Sequence, residues 1–159
     1  SDPEVQMILI MCYSGWRINE LVNLEINLKE KYFRGGSKTN FGKNRIVPIH
    51  SCIYEFVKAR IEHYGCLIPY TTNHYRASYF CPTLEKLGMI GNPKHTPHDC
   101  RHTFSMLCEK YGVMENDRKR MLGHSFGGDV TNSVYGHRTL KELCAEIEKI
   151  KVQFVTNCD

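Results

Sequence analysis

Apolar residues recur along most of the chain at the spacing of three and four positions that is typical of amphipathic helices. The segments that follow this pattern are residues 3–14, 17–24, 51–64, 72–88, 96–111, 115–122, 129–136 and 139–154. Pro3 fits the first turn of the first helix, Ser14-Gly15 ends it, and Pro82 predicts a break within 72–88. The pattern therefore predicts a mainly helical chain.

The stretch between the second and third helices has a different period. Two strand-like runs, KYFRGGSK and NRIVPIH, are joined by TNFGK, whose Asn and Gly favour a turn. This arrangement predicts an antiparallel hairpin with Lys38 at or near its tip. The predicted fold class is mainly α with one small antiparallel sheet. A length of 159 residues is enough for a single domain with its own core.

Composition and charge exclude several classes of protein. An apolar content of 42% is typical of a globular protein and not of a disordered one. The most apolar stretch, VQMILIMCY, is shorter than the ~20 residues that a membrane span needs, and no basic region precedes it as in a secretory signal. We therefore expect a cytoplasmic protein. The net charge of +4 permits binding to nucleic acid but does not require it.

Eight cysteines occur without any C-x-x-C pair. A disulfide framework is unusual in a chain of this size with a normal apolar content, so we expect reduced, buried thiols. No cofactor-binding motif stands out.

The stretch HTPHDCRHTF predicts a helix that begins with a binding site. Thr96 is a good N-cap, Pro97 suits the first helical position, and Asp99 completes a capping box. His98 and Arg101 are spaced so that both address one object above the first turn, where free backbone N–H groups also point. An anion fits this arrangement, and a phosphate suits an arginine fork beside an imidazole.

Two other interpretations of this helix stay open. His98 and His102 have the spacing of paired zinc ligands. However, no Glu follows His98 directly, and no third candidate ligand occurs at a characteristic sequence spacing from them. Alternatively, the helix is simply capped and carries its histidines on the surface.

Three further motifs contain residues that could take part in a reaction. SGWRINEL places Arg17 after a tight turn and Glu20 one helical turn later, GGSKTNFGKNRIVPI presents Lys38, and MLGHSFGGDVTNSVYGH contains His124 and Tyr135. Each has an ordinary explanation when taken alone: a surface ion pair, a solvated lysine, a packed tyrosine. Their order along the chain is what changes the interpretation.

Five motifs occur in a fixed order: S-G-x-R-x-x-E, K-T-x-x-G-K-x-R-x-x-P, H-x-x-R-H-T-F, L-G-H and a final tyrosine. In this order they resemble the motifs of the tyrosine recombinases, the phage integrase family. The sequences of the motifs are similar to those of integrases from prophages and integrative elements of low-GC Gram-positive bacteria. The resemblance runs from about Val5 to Ile150, and it implies the catalytic-domain fold of that family. Residues 1–159 would then be one catalytic domain, cut away from its amino-terminal DNA-binding domains.

The resemblance implies a set of site residues and a reaction. The implied catalytic residues are Arg17, Lys38, His98, Arg101, His124 and Tyr135, with Glu20 in support. The implied reaction is site-specific DNA recombination, as in integration or excision of a mobile element, by metal-free transesterification through a 3′-phosphotyrosyl intermediate. No cofactor is implied. The eleven positions from His124 to Tyr135 exceed the gap in many relatives, and the insertion FGGDV should alter how the tyrosine approaches.

The partners implied are double-stranded DNA and, in a synaptic complex, further copies of the chain. The basic residues that we expect to contact phosphates are Lys43, Arg45, Arg118, Lys119 and Arg120. The amphipathic segment 138–154 either packs within its own chain or docks on a neighbouring protomer. Three alternatives stay open: a type IB topoisomerase-like nicking-closing activity, a DNA-binding module with a silent tyrosine, and a metal-binding helical domain.

Overall fold

The computed structural model describes residues 2–36, 44–124 and 137–152. In chain order, its elements are α1 (Pro3–Cys12), α2 (Ile18–Leu21), β1 (Glu25–Asn27), β2 (Tyr32–Gly35), β3 (Arg45–Pro48), α3 (Ser51–Tyr64), α4 (Thr72–Tyr75), a π-helical stretch (Arg76–Phe80), α5 (Cys81–Lys86), α6 (Pro97–Lys110), α7 (Glu115–Leu122) and α8 (Leu140–Ile147). The predicted fold class, mainly α with a small antiparallel sheet, is confirmed. Several predictions lie outside the described residues: those for Lys38, Lys43, Tyr135, Phe154 and Cys158, and the helix at 129–136.

The sheet has three antiparallel strands in the order β1-β2-β3. Phe33 on β2 stands opposite Ile26 on β1 and Val47 on β3, and both Phe33 and Val47 are fully buried. The sequence pattern predicted β2 and β3 but missed β1. Three residues of β1 are too few to display the alternation by which a strand is recognised.

The turn after α1 is packed directly against α6. Gly15 has a φ of +74°, and a Cβ added there would collide with the ring of Phe104. The hydroxyl of buried Ser14 donates to the carbonyl of Ile10 at 2.6 Å, which closes the end of the helix. Glycine is therefore required at position 15 by backbone conformation and by space, and the Ser14 hydroxyl adds a hydrogen bond beside it.

The segment predicted as one broken helix at 72–88 continues without a break. A π-helical stretch lies at its centre, and Pro82 falls in the first turn of α5. Inside a continuous helix a proline cannot donate to the preceding turn and its ring crowds that turn, which is π-helical here. The wider turn before it thus accommodates the residue that we expected to interrupt the helix.

The helix predicted at 139–154 ends at Ile147, and its apolar stripe packs within the chain. Ile147 and Ile150 are buried. Glu146 accepts a hydrogen bond from the backbone N–H of Met114 at the start of α7, at 3.2 Å. Glu148 accepts from both the backbone N–H and the hydroxyl of Ser51 at the start of α3, each at 2.7 Å. Two acidic side chains of this segment therefore bind the N-termini of two other helices, as the helix dipole favours.

The seven cysteines among the described residues are free thiols, and Cys100 and Cys108 are buried. No helix in the described ranges has the length and apolar character needed to cross a membrane.

Candidate active site

The start of α6 has the predicted cap. The carboxylate of Asp99 accepts the backbone N–H of Thr96 at 2.8 Å, and this hydrogen bond is the main reason that the pKa of Asp99 is lowered. His98 and His102 are exposed, and their rings meet edge to face with centroids 4.8 Å apart. The first turn therefore presents two imidazoles on its outer side.

Arg101 points inward from the same turn and is only 4% exposed. Its guanidinium donates to the carbonyl of Gly15 at 2.8 Å and to the carbonyl of Leu122. Burial, with the charge of Arg17 next, lowers its pKa to about 10, so the group remains a cation at neutral pH. A guanidinium has five N–H donors, and two atoms joined to carbonyls leave further donors for an anion.

Arg17 lies directly before α2, and its side chain is 38% exposed. Glu20 accepts the backbone N–H of Arg17 at 3.0 Å, and its carboxylate is 3.6 Å from the guanidinium. The ordinary surface ion pair that the spacing suggested is therefore only partly correct. Glu20 is buried, and its stronger partner comes from elsewhere in the chain.

That partner is Arg45, the first residue of β3. Its guanidinium donates to both carboxylate oxygens of Glu20, at 2.7 and 2.8 Å, and to the carbonyl of Met121 at 3.0 Å. It also lies 4.2 Å from the centroid of the Trp16 ring. Burial alone would raise the pKa of Glu20, but the hydrogen bonds and charge of Arg45 outweigh it and keep that pKa below its usual value.

Contact with the phosphate backbone stays a prediction for Arg45, and it would require the guanidinium to leave Glu20 and Met121. The side chain of Arg45 is 4% exposed and faces the interior from the start of β3. A basic residue after a predicted turn gave no indication of this burial, because the acid that accounts for it stands 25 positions earlier.

His124 follows the end of α7 in a tightly defined turn. Gly123 has a φ of +71°, and the N–H of His124 bonds to the carbonyl of Lys119 at 2.9 Å. This helix ending requires glycine, which explains the L-G-H motif in physical terms. His124 is exposed, yet partial burial and the charges of Arg101 and Arg17 lower its pKa.

Four of the six predicted catalytic residues are brought together. Partial burial lowers the pKa of His98, and the charges of His102, Arg101 and Arg17 add to the effect. Arg17 and Arg101 thus act on both His98 and His124, although these residues are spread over more than a hundred positions. Buried Glu20 lies beside this cluster, 3.6 Å from the guanidinium of Arg17. Lys38 and Tyr135 lie outside the described residues.

The basic run in α7 is paired within the chain. Arg118 lies 3.2 Å from Glu109 and donates to Ser105 at 2.9 Å. Lys119 lies 3.3 Å from Glu115, which is largely exposed. Contact of these residues with DNA stays a prediction, and it would require their side chains to leave these partners.

Asp117 and Arg138 form a contact that sequence reasoning missed. Asp117 is fully buried, and its Oδ1 accepts from Arg120 at 2.8 Å and from Arg138 at 3.0 Å. An acid in the first turn of a highly charged helix resembles a solvated surface residue. No spacing or motif signals that it is buried.

The described parts of the chain contain no group of three His, Cys, Asp or Glu side chains arranged to hold a metal ion. Within these parts, His98 and His102 therefore have no third ligand beside them.

Comparisons with known proteins agree on one family. The protein-family model described as "Phage integrase family" matches residues 3–142. The tyrosine recombinase XerA of Pyrococcus horikoshii is 29% identical over 92% of this chain and 55% of its own length. That of Pyrococcus furiosus is 27% identical over 90% of this chain and 53% of its own length.

Among solved structures, the integrase from mycobacterium phage Brujita superposes with a TM-score of 0.70 at 17% identity, over 98% of this chain and 54% of that one. At this identity the likeness concerns the fold. The chain spans about half the length of the relatives it matches.

Proposed function

Since this chain belongs to the phage integrase family, we propose that it cleaves and rejoins DNA strands as part of a site-specific recombinase. The reaction is transesterification at a phosphodiester, without a metal ion and without a cofactor. We propose also that residues 1–159 form one catalytic domain and that the protein acts in the bacterial cytoplasm.

One observation carries the proposal. The guanidiniums of Arg17 and Arg101 and the imidazoles of His98 and His124 come from three separate parts of the chain. After partial burial, the charges of Arg101 and Arg17 lower the pKa values of both His98 and His124, so the four groups lie near one another. Clustering like charges is costly unless an anion binds among them. The first turn of α6 lies at the same place, and the positive end of its helix dipole favours an anion there. A phosphate satisfies all of these groups.

The first chemical step uses these residues together with Tyr135. A phenol with a pKa of ~10 is a weak nucleophile near neutral pH, so it needs a proton acceptor and an activated phosphorus. His98 is neutral at pH 7 because its pKa is lowered, and it takes the proton of the Tyr135 hydroxyl. Arg17, Arg101 and His124 stabilise the charge that develops on the non-bridging oxygens.

Bond formation and bond breaking balance within this step. The oxygen of Tyr135 bonds to phosphorus, the bond from phosphorus to the 5′ oxygen breaks, and Lys38 protonates that oxygen. The product is a 3′-phosphotyrosyl link and a free 5′-hydroxyl. A 5′-hydroxyl from a partner duplex then attacks the link and releases the tyrosine, so strands are exchanged without ATP. Glu20 orients its neighbours and transfers no proton.

We propose double-stranded DNA as the partner, with self-association of the chain in the synaptic complex. The segment 138–152 is packed within its own chain, so docking on a neighbour would require it to leave the N-termini of α3 and α7. A protein that remains monomeric on a duplex carrying its target site would contradict self-association.

The test is to trap the covalent intermediate. The chain and a Tyr135→Phe variant are incubated with a nicked duplex whose short cleavage product diffuses away, and protein–DNA adducts are resolved on a denaturing gel. An adduct that forms with the unsubstituted chain and is absent from the variant supports both the reaction and the nucleophile. Duplex binding without an adduct would instead leave a DNA-binding module with a silent tyrosine. Relaxation of a supercoiled circle without strand exchange would indicate a topoisomerase-like activity.

A further inference from the structure

Two buried arginines connect the same two segments of the chain. Arg101 donates to the carbonyl of Gly15 and to the carbonyl of Leu122. Arg45 donates to the carboxylate of Glu20 and to the carbonyl of Met121. The acceptors therefore lie within residues 15–20 on one side and in the last turn of α7 on the other.

Each of these segments carries a residue of the candidate active site. Arg17 stands between Gly15 and Glu20, and His124 stands two positions after Leu122. Fixing the two segments relative to each other fixes the distance between Arg17 and His124. Arg101 does this and, as proposed, also binds the phosphate. Arg45 differs because all three of its guanidinium nitrogens donate within the chain and its charge is paired with the carboxylate of Glu20.

The geometry of Arg45 suits this task and would not suit lysine. Its three nitrogens donate in one plane, two to the carboxylate and the third, Nε, to the carbonyl of Met121. Carbonyls in the last turn of a helix have no partner within the helix, and the dipole favours a cation beside them. The ring of Trp16 lies against the guanidinium plane. An ammonium group cannot make this planar set of contacts.

We propose that Arg45 is a positioning residue for strand cleavage: it holds Glu20 and the end of α7 so that Arg17 and His124 face the same phosphate as Arg101. This inference rests on the proposed function. It assigns to Arg45 a role in the reaction although Arg45 does not touch the DNA.

The charge of Arg45 supports the proposal independently of its hydrogen bonds. Burial is the main reason that the pKa values of Arg101 and His124 are lowered, and Arg45 adds to the effect at both residues. Arg45 is thus coupled electrostatically to two residues that would bind the phosphate. Removing its charge should therefore be detectable at His124 even without DNA.

Arg60 offers a matched control. It is also buried, at 5% exposure, and lies 3.4 Å from Glu4 and 5.2 Å from the ring centroid of Tyr64. It donates to the carbonyls of Leu67 and Pro3, neither of which belongs to the site. A buried arginine that only stabilises the fold should behave as Arg60 does.

The experiment compares Arg45→Lys and Arg45→Met with Arg60→Lys and Arg60→Met, at a temperature where thermal unfolding shows each variant to be folded. The first measurement is the single-turnover rate of adduct formation on the nicked duplex at saturating protein, with duplex affinity measured separately. We expect both Arg45 variants to cleave about tenfold to a hundredfold more slowly, as misplaced groups do, with little change in affinity. We expect the Arg60 variants to keep the rate of the unsubstituted chain.

The second measurement is an NMR titration of the His124 imidazole in the free protein. Arg45→Met should raise the pKa of His124, whereas Arg45→Lys, which keeps the charge, and Arg60→Met should leave it nearly unchanged. If Arg45→Met does not fold, Arg45→Lys still tests the cleavage rate.

The inference is overturned if the Arg45 variants cleave at the unsubstituted rate, or if the Arg60 variants are slowed equally. A failure of the proposed function looks different, because the unsubstituted chain then forms no adduct at all. If no adduct forms, the NMR titration still tests the electrostatic coupling between Arg45 and His124. An unchanged pKa of His124 in Arg45→Met overturns that coupling, and a raised pKa supports it.

Discussion

Asp117 Oδ1 lies 3.0 Å from Nε of Arg138, and this ion pair joins α7 to the residue that stands three positions after Tyr135. Arg138 also pairs with Glu142 in α8, while Asp117 binds Arg120 of its own helix. The helix that leads to His124 and the segment that follows Tyr135 are therefore tied to one buried carboxylate. The contact therefore restricts how far Arg138 can move relative to α7.

We predict that Asp117→Asn lowers the free energy of unfolding by about 1–3 kcal/mol, because two charged hydrogen bonds to a buried acid are weakened. Urea denaturation measures this change. Glu115→Gln is the control, since Glu115 is exposed and its pair with Lys119 should contribute less than about 1 kcal/mol. Equal losses in the two variants would show that Arg138 is not anchored as described.

We predict that Arg17→Ala and Arg101→Ala both abolish adduct formation, because each removes a guanidinium from the phosphate. The two variants should differ in stability. Arg101→Ala leaves the buried carbonyls of Gly15 and Leu122 without donors and should lower the unfolding temperature, whereas Arg17 is partly exposed and should cost little. Thermal unfolding should remain a single transition in both. Full activity in either variant removes that residue from the mechanism.

We predict that EDTA leaves adduct formation unchanged, because the proposed reaction stabilises the phosphate with arginine and histidine side chains. The measurement is the rate of adduct formation before and after dialysis against the chelator. Strong inhibition that zinc reverses would revive the interpretation in which His98 and His102 are metal ligands.

We predict that the duplex binds more tightly as the pH falls from about 7.5 to about 6. The pKa values of His98 and His124 lie below the ordinary 6.5 in the free protein, so both are largely neutral near pH 7. A bound phosphate favours the charged form of His124, which is proposed to stabilise the phosphate oxygens, so binding takes up a proton. Affinity measured with Tyr135→Phe tests this without cleavage. A double variant with glutamine at both histidines should lose the pH dependence, and an unchanged dependence would assign it to other groups.

The same lowered pKa values predict how stability depends on pH. The unfolded chain binds protons at these two histidines more readily than the folded one. Their contribution to the free energy of unfolding is therefore greatest above pH 6.5 and falls as the pH drops towards the folded-state values. Comparing urea unfolding of the chain and of the double glutamine variant between pH 7.5 and 5.5 isolates this contribution.

We predict that duplex affinity falls steeply with salt and that two neighbouring residues of α7 contribute differently. Among the described residues Lys119 pairs with exposed Glu115, so Lys119→Ala should reduce the salt slope by about 1, as loss of one phosphate contact does. Arg120 binds the buried Asp117, so Arg120→Ala should lower stability and change the slope less. Salt titrations of both variants decide between these outcomes, and the reverse order would contradict the pairing.

Elements with strong end signals could be predicted closely from the sequence. The bounds of α3 and α7 agree with the predicted 51–64 and 115–122, and α6 differs by one residue at each end. Thr96 and Asp99 begin α6, and Gly123 ends α7, through local hydrogen bonds that need no distant partner. Where such signals are lacking, as in β1 and beyond Ile147, the predictions missed an element or extended it too far.

The sequence by itself indicated the family, through the resemblance of its ordered motifs to the tyrosine recombinases. It also determined the helical class, because caps, glycine turns and periodicity act over a few positions. Only the tertiary structure decided which charges are buried. Arg45 meets the carbonyl of Met121 across 76 positions, and Arg101 meets that of Gly15 across 86. A charged residue is stable in the interior only if a partner stands opposite it. That partner is supplied by the packing of distant elements, which local spacing does not encode.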